Sequence, residues 1–315
     1  IANAAGLSTN IELLTIQCKL GGNGPIMASS LMAQGYEISY IGALGVNEIH
    51  PIYKDFSTQC KQVISLANPG HTDALEFNDG KVMLGKLSDL GRVNWLNLLQ
   101  MYGENNLADM LKQTELIAFT NWTMLPEMNS LLFGFSQLLN KLTLRPKVYI
   151  DLADPTKRRK EDIEEVLHLL NQMQHNVQVA LGLNQNESSI IAKILNIFTE
   201  DLRVRAIKIR EKLNLDRVII HPVQGAAAAT AENSSWVDGP YCQTPKLTTG
   251  AGDNFNAGFC SGWLKGFDLE SCLICGVATS GFYVRNEYSP TQSELKNFLD
   301  DWQKESWIKN PGFLR

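Results

Sequence analysis

Between Thr248 and Phe259 the chain reads Thr-Thr-Gly-Ala-Gly-Asp-Asn-Phe-Asn-Ala-Gly-Phe, a run of residue types suited to handling an anion. Gly250, Ala251 and Gly252 form a small-residue loop set directly against Asp253, which opens a helix-like run. A helix start exposes unpaired backbone amides at the positive end of the helix dipole. Glycines let phosphate oxygens approach the backbone and permit the turn that aims several amides at one point. The acid has two readings: a helix cap, for which Asp is well suited, or a group that serves a reaction beside a bound anion. A second small-residue loop, Gly21-Gly22-Asn23-Gly24-Pro25, precedes a helical run with Met27, Ala28, Leu31 and Met32 on one face. It reads equally as turn chemistry or as a place where a small ligand reaches the backbone.

The elements around these loops follow a strand–helix rhythm. Strands are predicted at Leu116–Phe119, Lys147–Ile150, Val177–Leu181 and Arg217–Ile220. Helices are predicted at Pro126–Lys141, Lys160–Gln174 and in two runs across Glu187–Leu213. This repeat implies right-handed crossovers and a mostly parallel sheet covered on both faces. Ligands bind such sheets outside the carboxyl ends of the strands. Three successive ends deliver polar or aromatic side chains: Asn121 and Trp122, then Asp151 and Asp154, then Asn184 and Glu187. Each alone fits a loop or a cap. Together on one edge they favour a site for a metal–phosphate and a polyol.

Upstream, Gly35 closes the first helix, and Tyr36–Gly42 reads as a strand. Thr72–Leu84 reads as a hairpin turning at Asn78-Asp79-Gly80, a flap outside the main sheet. Gly91–Gln113 is helical with a break at Gly103. Downstream come a small-residue strand at Ala226–Thr230, the helix after Asp253, a helix at Leu269–Val284 and a terminal helix begun by Ser289-Pro290-Thr291. Gly258, Gly262 and Gly266 recur at four-residue spacing, each costing ~1 kcal/mol relative to Ala, so close backbone packing is expected.

Composition narrows the partners. The net charge of −5 offers no basic face for a phosphate backbone, and Lys157–Lys160 is answered at once by Glu161, Asp162, Glu164 and Glu165. No nucleic acid is expected. No apolar run approaches a bilayer span, so no membrane is expected. Six scattered cysteines, including Cys272-x-x-Cys275 in an apolar run, read as reduced thiols in a cytoplasmic protein. The chain begins at Ile1, which leaves a leader open. With no linker or repeat, residues 1–315 read as one domain.

Taken together, these motifs resemble the ribokinase-like (PfkB) family of carbohydrate kinases. Thr249–Asp253 with Phe255 and Ala257-Gly258-Phe259 is similar to that family's C-terminal signature, and Gly21-Gly22-Asn23 to its N-terminal one. Asn184-x-x-Glu187 is similar to its Asn-x-x-Glu motif. The resemblance implies an α/β fold, a three-layer α/β/α arrangement with a mostly parallel central sheet and a small β lid from segments within 1–20 and 71–88. It implies ATP-dependent phosphorylation of a hydroxymethyl group on a sugar, with Mg²⁺. Asp253 would be the base and the amides of Gly250, Ala251 and Gly252 the anion hole. Gly21, Gly22, Asn23 and Asn121 would bind the acceptor. Asn184, Gln224, Gly225, Thr249, Gly252 and Ala278 would meet the nucleotide, with Glu187 and Asn184 holding Mg²⁺ through water. A homodimer through the lid is a further family expectation.

Three departures stand out. Leu247 replaces an acid that commonly helps a monovalent-cation site, which puts K⁺ in doubt. Ile220-His221-Pro222-Val223 replaces a Thr-x-Gly turn near the nucleotide, and proline lacks an amide. The family's first strand, with its acceptor-binding Asp, is not found before Gly21. A nucleoside or vitamin-alcohol kinase, or a non-catalytic sugar- or nucleotide-binding regulator, are the alternative readings.

Overall fold

The computed structural model describes residues 6, 10, 12–77 and 80–309. Asn78 and Asp79 of the expected hairpin turn, and part of the 1–20 lid segment, lie outside the described residues.

From the amino end, α1 (Asn23–Ala33) leads to β1 (Ser39–Gly42), α2 (Lys54–Gln59) and β2 (Gln62–Ser65). β1 and β2 pair in parallel as a small separate sheet. β3 (His71–Phe77) and β4 (Gly80–Lys86) form the expected antiparallel hairpin, also a sheet of its own. α3 (Trp95–Tyr102) and α4 (Glu104–Leu111) are divided at Gly103, whose φ of 87° suits glycine. β5 (Leu116–Phe119), α5 (Met128–Leu142), β6 (Lys147–Asp151), α6 (Lys160–Gln174) and β7 (Gln178–Leu183) follow. Next come α7 (Gln185–Ile194), α8 (Leu202–Leu213), β8 (Arg217–Ile220), β9 (Gly225–Ala229) and β10 (Ser234–Asp238). The chain then runs through α9 (Ala251–Leu264), α10 (Leu269–Asn286) and α11 (Gln292–Lys309).

The main sheet has the order β10-β9-β8-β7-β6-β5. β5 to β8 are parallel, as the strand–helix alternation requires, and β9 and β10 are antiparallel. Side chains alternate between its faces. Val148, Ile150, Val179, Leu181, Val218 and Ile220 pack on the buried stripes of α5, α6 and α8. Tyr149, Ala180, Ile219, Ala226 and Ala228 face α1, α9 and α10. The middles of β6, β7 and β8 are therefore apolar on both faces, which is why length and turn signals identify these strands better than alternation does.

β2 and β10 were not expected from sequence: both are short, and β10, Ser-Ser-Trp-Val-Asp, is an edge strand of mostly polar residues. The glycine spacing in α9 also resolves into two causes. A Cβ on Gly258 would stand 2.4 Å from the Cys275 carbonyl, and one on Gly262 would stand 3.1 Å from Cys272 Cα, so these two let α9 and α10 approach. Gly266 meets nothing and has φ 73°; it ends the helix instead of packing it. Among the described residues no helix is long and apolar enough to cross a membrane.

Candidate active site

α9 begins at Ala251, two residues before the Asp253 start expected from sequence, and its first turn is held from three sides. Gly250 adopts φ 93°, and a Cβ there would come 2.8 Å from Tyr283 Oη and 3.1 Å from Ile26, so glycine is required twice over. Tyr283 Oη donates to the Thr249 carbonyl at 2.9 Å. Asn254 Nδ2 donates to the Gly250 carbonyl at 2.9 Å, while its Oδ1 accepts from Ser289 Oγ at 2.7 Å. The amide of Ala251 closes the turn onto the Thr248 carbonyl, at 3.1 Å. The amides of Gly252 and Asp253 stand in the first turn, where no intrahelical acceptor exists. The loop is thus a braced frame with free donors at a helix N-terminus, an arrangement of the kind that suits an anion.

Asp253 occupies this turn and is only 5% exposed. It does not cap the helix through its side chain; the capping residue, Gly250, has no side chain to offer. Instead Asp253 Oδ1 accepts from Asn23 Nδ2 at 3.0 Å. Burial pushes its carboxyl well above the usual range, and the charges of Asp151 and Glu187 push the same way, against the Asn23 hydrogen bond. Of the two readings the sequence allowed, the side-chain cap is excluded.

Asp151 and Glu187 arrive from the ends of β6 and β7. Asp151 Oδ2 accepts from Asn256 Nδ2 at 2.6 Å, and Asn256 Oδ1 accepts from Tyr149 Oη at 2.6 Å. A Cβ on Gly182 would overlap that tyrosine hydroxyl at 1.9 Å, so the β7 glycine keeps the chain of bonds open. Burial and the neighbouring Glu187 raise Asp151 to about 7. Glu187 is also raised, mainly by burial. Its two oxygens accept the amides of Asp154 at 2.9 Å and Asn184 at 2.8 Å, and Asn184 Oδ1 accepts the Glu187 amide, a complete capping box at the start of α7.

The other predicted residues separate into two groups. Gly21, Gly22, Asn23, Asn121, Leu247 and Thr249 line one open cleft of about 2680 Å³. Gln224 is exposed beside β9, whereas Gly225 and Ala278 are buried within β9 and α10. Trp122 does not reach the site. It is fully buried, donates from Nε1 to Asn129 Oδ1 at 2.6 Å and carries Arg158 over its ring. Its apolar body wins over its position after a strand. Tyr149 and Asn256 gave no warning in sequence, since their link to Asp151 joins residues about a hundred positions apart. His221, after β8, stacks on Phe255 with ring centroids 4.6 Å apart, and its Cε1 lies 3.4 Å from where a Gly252 Cβ would be. The unusual turn therefore flanks the anion loop.

The prokaryotic ketohexokinase family matches residues 2–302. A ketohexokinase from Haloferax volcanii is 26% identical over 297 residues, covering 94% of this chain and 79% of that protein. A nucleoside kinase from Methanocaldococcus jannaschii is 56% identical, but over only 56 residues, 18% of this chain and 17% of that protein. In structure, Arabidopsis thaliana ribokinase complexed with ribose and ATP superposes with a TM-score of 0.68 at 16% identity, covering 92% of this chain and 90% of that one. The adenosine kinase of Sinorhizobium meliloti gives 0.66 at 16% identity, covering 89% and 82%. These likenesses establish the ribokinase-like fold, and the match along nearly the whole chain gives the family: the chain belongs to the prokaryotic ketohexokinase family and is a sugar kinase, a phosphotransferase acting on an alcohol group.

Proposed function

We propose that this protein phosphorylates the hydroxymethyl group of a ketohexose with ATP, and that Asp253 takes the hydroxyl proton. The observation that carries the reading is the Asn23–Asp253 hydrogen bond at 3.0 Å, which brings the first-loop residue to the acid beside the anion loop. Asn23 orients the acid, and the acceptor's hydroxyl lies between Asp253 and the first-turn amides of α9. Those amides neutralise charge on the transferring phosphoryl group as it forms. A carboxyl of raised proton affinity is a stronger base once ionised, and the helix N-terminus and Asn23 favour the ionised form.

The donor set suits a divalent cation. Asp151, Glu187 and Asp253 are buried acids that repel one another. Among the described residues no three His, Cys, Asp or Glu side chains converge closely enough to ligate a metal directly. Following the family resemblance, Glu187 and Asn184 would hold Mg²⁺ through water, and the ion would supply charge neutralisation on the nucleotide phosphates. Gln224 and Thr249 would meet the nucleotide.

An acceptor panel with product mass analysis tests the reading. With ATP and Mg²⁺, D-fructose is converted to a monophosphate faster than adenosine, uridine or pyridoxal. Preferred turnover of a nucleoside would replace the ketohexose with the acceptor class of the M. jannaschii relative; binding of sugar and ATP without product would make the protein a regulator.

A further inference from the structure

Immediately after Asn23, Gly24 opens a small polar enclosure that the reaction itself does not use. A Cβ on Gly24 would stand 3.2 Å from Tyr40 Oη and 3.3 Å from Thr120 Oγ1, so two hydroxyls from different elements point at one spot. A Cβ on Gly42 would come 2.7 Å from the same Tyr40 hydroxyl, so the ring lies between two glycines. Phe56 fixes that ring edge-on, with centroids 5.1 Å apart at 90°. Among the described residues neither the Tyr40 nor the Thr120 hydroxyl has a hydrogen-bond partner. The neighbouring Asn121 has φ 62°, and its Oδ1 is buried without a partner. Gly24, Tyr40, Gly42, Thr120 and Asn121 line the cleft that holds the Gly21–Asn23 loop.

The buried Asn121 oxygen is costly to leave unanswered, and the partly buried Tyr40 and Thr120 hydroxyls beside it open to the cleft, free to bind a ligand. Their chemistry, two hydroxyls and an amide, suits alcohol hydroxyls. Burial pushes the Tyr40 phenol up, so it stays protonated and is available as a donor. Asn23 marks the reacting hydroxymethyl end through its bond to Asp253, and the enclosure begins at the next residue.

We infer that Tyr40 and Thr120, with Asn121, hold the acceptor hydroxyls remote from the phosphorylated carbon, a specificity role that rests on the kinase reading above. The subsite selects a polyhydroxylated acceptor by leaving polar groups unpaired when a remote hydroxyl is missing. The test is calorimetric binding of D-fructose and its monodeoxy analogues to the wild type, Tyr40→Phe and Thr120→Val. Binding of a non-hydrolysable ATP analogue and steady-state kinetics are measured alongside.

Each variant should weaken fructose binding and raise its KM by about tenfold, with kcat and nucleotide affinity within about threefold. The wild type should reject one deoxy analogue by a similar factor, and the matching variant should no longer distinguish it from fructose. Variants that bind fructose within about twofold of the wild type overturn the subsite. So does an equal loss of sugar and nucleotide affinity, which marks a structural role. A wild type that binds and phosphorylates no sugar removes the kinase reading and the subsite together; an unchanged fructose affinity and KM in both variants removes the subsite alone.

Discussion

Asn23 and Asp253 stand 230 residues apart in the chain and meet through a hydrogen bond of 3.0 Å. The two glycine loops are thereby joined into one site, because each supplies one partner. Asp253→Asn should keep the fold and the binding of sugar and nucleotide while lowering kcat by about 10³-fold, the range of a lost general base. Single-turnover phosphorylation measures this; a variant within tenfold of the wild type would falsify the assignment. Asn23→Ala should raise the KM for sugar more than that for ATP.

The capping box at α7 gives Glu187 a structural role beside any role with metal. Its two oxygens satisfy the amides of Asp154 and Asn184. Asn184→Ala should therefore destabilise the protein by about 1 kcal/mol, and Glu187→Gln by about 1–2 kcal/mol, in urea unfolding without Mg²⁺. Unchanged stability in both would mean that the amides find other acceptors. A raised Mg²⁺ requirement in Glu187→Gln alone would separate the metal role from the cap.

Gly250 tests whether the anion loop tolerates distortion. Alanine there meets both the left-handed φ of 93° and the Tyr283 hydroxyl at 2.8 Å. Gly250→Ala should cost about 1–3 kcal/mol of stability and lower kcat well beyond that of a surface Gly→Ala control. If thermal unfolding and kcat both match the control, the loop is not the braced frame described above.

Two groups, the half-buried His221 and the buried Asp151, set opposite trends with pH. His221 falls to about 4 on burial, below its ordinary 6.5. The unfolded chain therefore binds this proton more readily, and stability is lost as pH drops from 6.5 toward 4. Asp151 is raised to about 7, so its contribution is complete below 3.8 and lost as pH rises through 7. His221→Phe keeps a ring against Phe255 and removes only the first trend. Relative to the wild type, it should gain up to about 3 kcal/mol between pH 6.5 and 4, and nothing above pH 7.5. Parallel denaturation curves for the two proteins across that range would show that His221 is not held neutral.

The hairpin exposes Phe77, Val82, Met83 and Leu84. The register sets Leu75 opposite Val82 and Asp73 opposite Leu84, so Phe77, Leu75, Val82 and Leu84 share one face. An apolar, isolated two-stranded ribbon of this kind is stabilised by a cover. We propose that a second copy supplies it. Sedimentation should give a dimer that Val82→Asp with Leu84→Asp converts to monomer; a wild-type monomer at micromolar concentration excludes the pairing.

Much of this architecture was decided locally. The strands at 116–119 and 217–220 and the helix at 160–174 have the limits their turn signals and periodicity indicate, because buried parallel strands and amphipathic helices are specified by near neighbours. Asp253 and the Gly250–Gly252 turn were legible too, since a glycine loop against a helix start has few uses. Pairing across the chain was not. That Asn23 meets Asp253, that Asn256 links Tyr149 to Asp151, and that Ser289 pins Asn254 depend on distances set only when α1, α9 and the sheet pack together. Burial, the cause of the raised carboxyls at Asp151, Glu187 and Asp253, is likewise a property of the assembled layers. The sequence by itself determined which residues could do the chemistry. Tertiary structure decided which of them meet, because contacts between distant positions leave no periodicity to read.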